Sequence, residues 1–242
     1  MSETMRMWME IGFNVSYLVV IWGLVGTMWV QRETVPAGEW PLARIFIGAF
    51  ALLALGDTGH VGFRVWAYSL GDLEATISVA GLELGLVGLG ALATAVTVTF
   101  FYVLMLVIWQ RRFDKPYGWF GLLLFGAAAA RLLLMFFPAN EWNSTTPPQP
   151  WSLYRNLPLT IQGLGVAYLI LRDARPEGDR TFTWIGLMIL VSYAFYIPVI
   201  LFVQQAPLIG MLMIPKTLAY VAIAAIAYRA FYRAPSGQLQ PG

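Results

Sequence analysis

Asp57, His60 and Arg64 stand at i, i+3 and i+7 in a run that is otherwise almost wholly apolar. On a helix that spacing lines all three along one face. The stripe offers a carboxylate, an imidazole and a guanidinium over two turns, a set able to move a proton or to hold an anion. Lys216 is the sharpest single residue. It follows Pro215 well inside another apolar run, where an amine serves as a base, as a Schiff-base nucleophile or as one half of a salt bridge. Glu10, Glu83, Arg131 and Arg155 complete a group of eight ionisable residues within or at the ends of apolar segments. Charge in lipid is costly, and by default it marks a functional site. The plainer alternative is a network that satisfies itself, with Asp57 accepting from a neighbouring cation and His60 acting as a spacer.

Several chemistries are excluded at once. Cysteine is absent from the 242 residues and histidine occurs once, so disulfides, iron–sulfur clusters, thiolate metal sites and multi-histidine zinc or haem sites have no ligands. Hydrolases built on several metal-binding histidines are excluded for the same reason, and neither a metal nor a cofactor is expected. The string Gly85-Leu86-Val87-Gly88-Leu89-Gly90 is no phosphate loop, because no strand pattern precedes it and no lysine follows. A nucleic-acid partner is not expected.

The elements that must position these residues are membrane helices. Of the chain, 59% is hydrophobic and 12% charged, with a mean hydropathy of +0.67, whereas a soluble domain is about 25% charged. Roughly 20 apolar residues cross a bilayer as a helix. The expected fold is therefore all-α, one seven-helix transmembrane domain over 1–242, with spans near 8–30, 41–60, 84–109, 117–137, 157–171, 182–203 and 207–228. The second can continue as helix to about Tyr68, and Tyr154-Arg155-Asn156 can form the first turn of the fifth. Met1 to Met7 lack the pattern of a cleavable signal peptide, so insertion is expected to begin with the first span. No internal repeat is visible.

Orientation follows from the loops. Arg32, Arg44, Arg111, Arg112, Lys115, Arg172, Arg175, Arg180, Arg229 and Arg233 fall on one side, against Arg6 on the other. The positive-inside rule then places the N-terminus outside and the C-terminus in the cytoplasm, in the cytoplasmic (inner) membrane. With that orientation the eight ionisable residues lie in the outer half of the bilayer or near its midplane. Lys216, nine residues into span 7, is about 14 Å along it at the rise of an α-helix.

Further expectations concern the surroundings. Pro215 would kink span 7 and release the Met211 carbonyl, and Lys216 is expected to be buried, non-covalent and paired with an acid from span 1 or 2. Thr94, Thr97, Thr99 and the glycines of span 3 read as helix-packing residues, the threonines hydrogen-bonding across helices, with ligand contact the alternative. Tyr193, Phe195 and Tyr196 read as aromatic packing around Pro198 or as a pocket wall, packing being the simpler reading. Residues 65–83 read as a re-entrant or surface segment. In the proline-rich connection 138–155, Trp142 and Trp151 would anchor the loop at headgroup level or roof a pocket, anchoring being the simpler reading.

The strings Gly56-Asp57-Thr58-Gly59-His60-Val61-Gly62-Phe63-Arg64, Tyr154-Arg155-Asn156-Leu157-Pro158 and Ile214-Pro215-Lys216-Thr217 resemble signatures of a family of uncharacterised bacterial seven-span membrane proteins, over nearly the whole chain. That resemblance implies that the charged positions belong together as a set. The chain is also remotely similar to microbial rhodopsins in span count, orientation and a lysine in the middle of span 7, which implies a retinal Schiff base on Lys216. Rhodopsins place an acid one turn before that lysine, where this chain has Leu212 and Met213, and their third span carries an arginine and a counter-ion acid that this one lacks.

Together these readings describe an outward-facing pocket lined by Glu10, Asp57, His60, Arg64, Arg131, Arg155 and Lys216. With His60 neutral, four bases face three acids (Glu10, Asp57, Glu83), and an anion would complete the set. The expected partners are membrane lipid and an anionic small molecule or lipid headgroup, bound in a receptor-like or transport role. A metal-free enzyme acting on a lipid-borne substrate is the alternative, a photoreceptor a lesser one, and a structural subunit the plainest.

Overall fold

The computed structural model describes residues 3–79, 81–145 and 148–233, without the side chains of residues 3–7, 10, 79 and 82. Seven α-helices follow one another: α1 Glu3–Val30, α2 Trp40–Ser69, α3 Leu86–Phe113, α4 Gly118–Met135, α5 Trp151–Ala174, α6 Arg180–Phe202 and α7 Met213–Tyr232. Six segments are long and apolar enough to cross a membrane: Ile11–Val30, Trp40–Ser69, Leu86–Phe113, Gly118–Met135, Arg180–Phe202 and Pro207–Tyr232. α5 is not among them, since Arg155, Asn156, Thr160 and Gln162 make its first half too polar. The apolar side chains left outward elsewhere, such as Phe136 at 84% and Trp119 at 77% exposed, suit a hydrocarbon solvent.

Local signals set the helix ends. Pro41 stands in the first turn of α2, where its missing N–H costs nothing. The Asp179 carboxylate caps α6 by accepting from the Phe182 N–H at 3.0 Å. α3 carries Arg111 and Arg112 in its last turn, the favourable end of the helix dipole for cations. It stops at Asp114, whose φ of 48° is left-handed.

Side-chain bonds show that the helices run alternately up and down. Arg112, at the end of α3, reaches Asp179 before α6 at 2.9 Å and Glu39 before α2 at 3.7 Å. Trp109 of α3 donates to Asp173 near the end of α5 at 2.8 Å, and Tyr228 near the end of α7 donates to Gln31 just beyond α1 at 3.0 Å. Tyr117, preceding α4, packs on Trp109. The loops and helix ends bearing the ten basic residues therefore gather at one end of the bundle.

One expectation is made definite and two are corrected. Residues 65–83 follow the surface reading with more order than the sequence signalled: α2 runs on to Ser69, close to the expected Tyr68, and a short antiparallel hairpin follows, β1 Thr76–Val79 with β2 Leu82–Gly85 and Thr76 opposite Gly85. Glu83 sits in this hairpin, where its carboxylate accepts from the Thr76 hydroxyl at 2.9 Å, rather than opening a span. Pro215 does not kink a helix. The chain before it, Pro207–Leu212, is a 3-10 helix, and Pro215 is the third residue of α7, where no intrahelical donor is lost.

Candidate functional site

α2 and α3 approach closely enough to bring polar side chains face to face. A Cβ on Gly90 would lie 2.8 Å from the His60 Cα, and one on Gly88 would collide with the Trp142 carbonyl. Only glycine permits either approach. The first sets the α2 stripe against α3, and the second brings Trp142, in the connection after α4, over the start of α3.

These approaches leave a cavity of about 440 Å3, within the roughly 300–1,000 Å3 of ligand pockets. Asp57, His60, Arg64, Arg131, Arg155 and Lys216 all line it, so six of the seven expected side chains meet in one place. Glu10 falls within α1, but its side chain lies outside the described residues.

Asp57 is held by neutral donors. Its Oδ2 accepts from the Tyr17 hydroxyl at 2.8 Å and its Oδ1 from the Thr94 hydroxyl at 2.6 Å. Arg131, only 2% exposed, donates from Nε to the Arg155 carbonyl at 3.0 Å and from Nη1 to the Thr99 hydroxyl at 2.8 Å. Thr99 passes its own hydroxyl proton to the Ala95 carbonyl, which leaves its oxygen free to accept. The Arg155 guanidinium lies 4.4 Å from the centre of the Trp142 ring and makes a long 3.4 Å bond to the Asn140 side-chain oxygen. Asn140 is fixed in turn by the Leu134 and Phe137 carbonyls.

The expected pairing of Lys216 with an acid is not met by Asp57 of span 2, and the side chain of the span 1 acid, Glu10, lies outside the described residues. Lys216 has no acid partner within 4.0 Å among the described residues. Its ammonium lies 4.5 Å from the centre of the Tyr196 ring and 5.6 Å from that of Tyr220, the geometry of cation–π attraction. The nearby acid of α2 is already served by Tyr17 and Thr94. Arg131 and Arg155 likewise have no carboxylate within that distance among the described residues. Among the described residues, three cations thus border the cavity on carbonyl, hydroxyl, amide and ring partners.

The far side of the cavity is closed by aromatic packing. The Tyr102 and Tyr220 hydroxyls share a bond of 2.8 Å, and Phe101 meets both rings edge-on. Behind them Phe50, Phe46, Phe182, Phe113 and Phe231 interlock down to the arginine-rich end. All of these residues are buried.

Comparison of the chain with protein-family models, with curated proteins and with solved structures finds no match. The site's chemistry therefore stands on its own geometry.

For several contributors the structure takes the less simple of the two sequence readings, and others were missed. Thr94 and Thr99 serve Asp57 and Arg131 rather than packing alone, and Trp142 lines the cavity with its indole N–H bonded to the Met135 carbonyl rather than acting only as an anchor. Tyr196 is a cavity wall, its hydroxyl donating to the Asn156 side chain at 2.9 Å. Tyr17 was not singled out, and neither was Tyr220. Spacing carried a signal for Tyr220, which follows Lys216 by four residues and so shares its face.

Proposed function

We propose that this chain is a seven-span protein of the cytoplasmic membrane, N-terminus outside, whose cavity binds an anionic small molecule or lipid headgroup. One observation carries the reading: Arg131, Arg155 and Lys216 border the cavity with no carboxylate within ion-pair distance among the described residues, while Asp57 takes its bonds from two hydroxyls. Buried charge needs a counter-charge, and arginine forks match phosphate or carboxylate with paired hydrogen bonds. The up-and-down arrangement supports α5 as a seventh crossing, its polar half turned to the cavity and its neighbours rather than to lipid. The basic residues at the closed end support a cytoplasmic placement of that end. The aromatic plug favours a receptor-like role over transport, because among the described residues it closes the cavity towards the arginine-rich end.

A metal-free enzyme is the second reading, favoured by one feature. Asp57 and Lys216, an acceptor and a donor of protons, face the same enclosed space.

The test is thermal stability of the purified protein against a panel of anions, cations and neutral molecules, since a ligand that binds only the folded state stabilises it by mass action. Anions should raise the midpoint, and the rise should shrink in Arg131→Gln and Arg155→Gln. Stabilisation by cationic or neutral molecules only would overturn the proposal. A visible absorption band on adding retinal, lost in Lys216→Met, would replace it with a photoreceptor.

A further inference from the structure

The cavity walls divide by polarity. Among the described side chains, α2, α4, α5 and α7 contribute the charges, whereas the start of α1 contributes Met9 and Phe13 with the neutral Asn14 and Tyr17 deeper along it, and the 3-10 helix Pro207–Leu212 contributes Leu208 and Met211. The apolar walls also reach the surface: Leu208 is 70% exposed, Met9 39% and Met213 37%. Along their length α1 and α7 pack together. Towards the cavity end the 3-10 helix leans instead on α6, with Gly210 against Val203. Among the described residues, α1 and this 3-10 helix border the same cavity yet scarcely touch each other. As far as the described residues go, the ring of helices is therefore parted sideways at that level, on an apolar flank.

Resting on the anion-binding reading, we propose that the occupant is a lipid with a phosphate monoester head and one hydrocarbon chain. The head sits among Arg131, Arg155 and Lys216, and the chain leaves between α1 and the 3-10 helix into the membrane. The charge of the deep walls complements the head, and the apolar flank complements the chain. A free phosphate would fill only part of the space and would leave Met9, Phe13, Leu208 and Met211 facing water. Each chain methylene covered by that flank instead strengthens binding from water by about fourfold. A sideways opening also lets the lipid arrive from the bilayer, where its chain already resides.

The experiment uses the full chain in phosphatidylcholine nanodiscs with a 1-acyl-glycerol 3-phosphate carrying a diazirine in its chain. Photolysis and peptide mapping should place the label on Met9, Phe13, Leu208, Met211 or Met213. Labelling there should fall about tenfold in Arg155→Gln, the factor expected for losing one charge-assisted hydrogen bond. A probe with the same chain and a choline-capped phosphate should not show the preference. Leu208→Asp, which puts a carboxylate at the opening, should reduce labelling there.

Label spread equally over outward residues such as Leu122 and Phe136, and indifferent to Arg155→Gln, would overturn the lipid proposal. Glycerol 3-phosphate then separates the two readings. If it still stabilises the protein in an Arg155-dependent way, only the chain inference falls. If no anion stabilises it, the anion-binding reading falls as well.

Discussion

Lys216→Met separates two electrostatic descriptions of the cavity. Methionine keeps most of the stem's packing and removes the charge. If Lys216 were held in a buried ion pair, its removal would strand a carboxylate and cost about 3–5 kcal/mol. The structure gives it instead the rings of Tyr196 and Tyr220, at 4.5 and 5.6 Å, contacts worth about 0.5–2 kcal/mol. Against that loss stands the relief of an ammonium held away from bulk water, a penalty of several kcal/mol for a fully buried ion and less for this half-buried one. The two nearly cancel, so the ligand-free variant should lie within about 1 kcal/mol of the parent, or within about 4 °C in melting temperature for a chain of this size. The assay is thermal unfolding in detergent followed by intrinsic fluorescence, with and without a stabilising anion. Without anion the curves should nearly coincide, and with it the parent should gain more. A fall of about 6 °C or more without anion, the lower bound for a broken ion pair, would refute the reasoning and return Lys216 to a salt bridge.

The remaining expectations concern the frame around the cavity. Tyr17→Phe removes a 2.8 Å bond to a carboxylate and should cost about 1.5–3 kcal/mol; an unchanged midpoint would mean that water replaces it freely. Asp179→Ala removes both the cap of α6 and the partner of Arg112, so its cost should exceed the roughly 1 kcal/mol of a lost cap, and an effect smaller than that in thermal unfolding would leave the ion pair without weight. A reporter fused after Gly242 should read cytoplasmic and one inserted at Pro148–Pro150 external; a cytoplasmic signal from the proline-rich loop would reverse the orientation.

The helices were legible because a lipid solvent imposes a simple rule. Each crossing must be a long apolar run, and six of the observed helices are. The Asp57–His60–Arg64 stripe was legible for a related reason, since helical periodicity fixes a face before any tertiary contact is known. Partner choice was not. Nothing local in the sequence says that Asp57 bonds to Tyr17 and Thr94 rather than to Lys216, because the choice depends on the α2–α3 approach that Gly90 permits. The hairpin at 76–85 was hidden because its apolar alternation is four residues long in each strand, too short to stand out beside two membrane helices. Pro215 misled because a proline signals a kink only inside a helix, and the 3-10 helix before it moved the start of α7 to Met213.

That 3-10 helix ties the charge pattern to the opening. An α-helix continuing upstream from Met213 would extend the packing of α7 along α1. The 3-10 path leads the chain towards α6 instead. Lys216 therefore stands in the first turn of α7, just below the junction, with its ammonium over Tyr196 of α6 and Tyr220 of its own helix. The same departure from regular helix places a cation at the edge of the cavity and parts the wall beside it. Across the cavity, the Arg155 carbonyl fixes Arg131 while the Arg155 guanidinium rests on Trp142, so two like charges are held on one wall by groups that do not neutralise them. Like charges assembled this way repel, and the repulsion is relieved when an anion enters. An anionic head entering through the parted wall would meet Lys216 beside the opening and the two arginines beyond it.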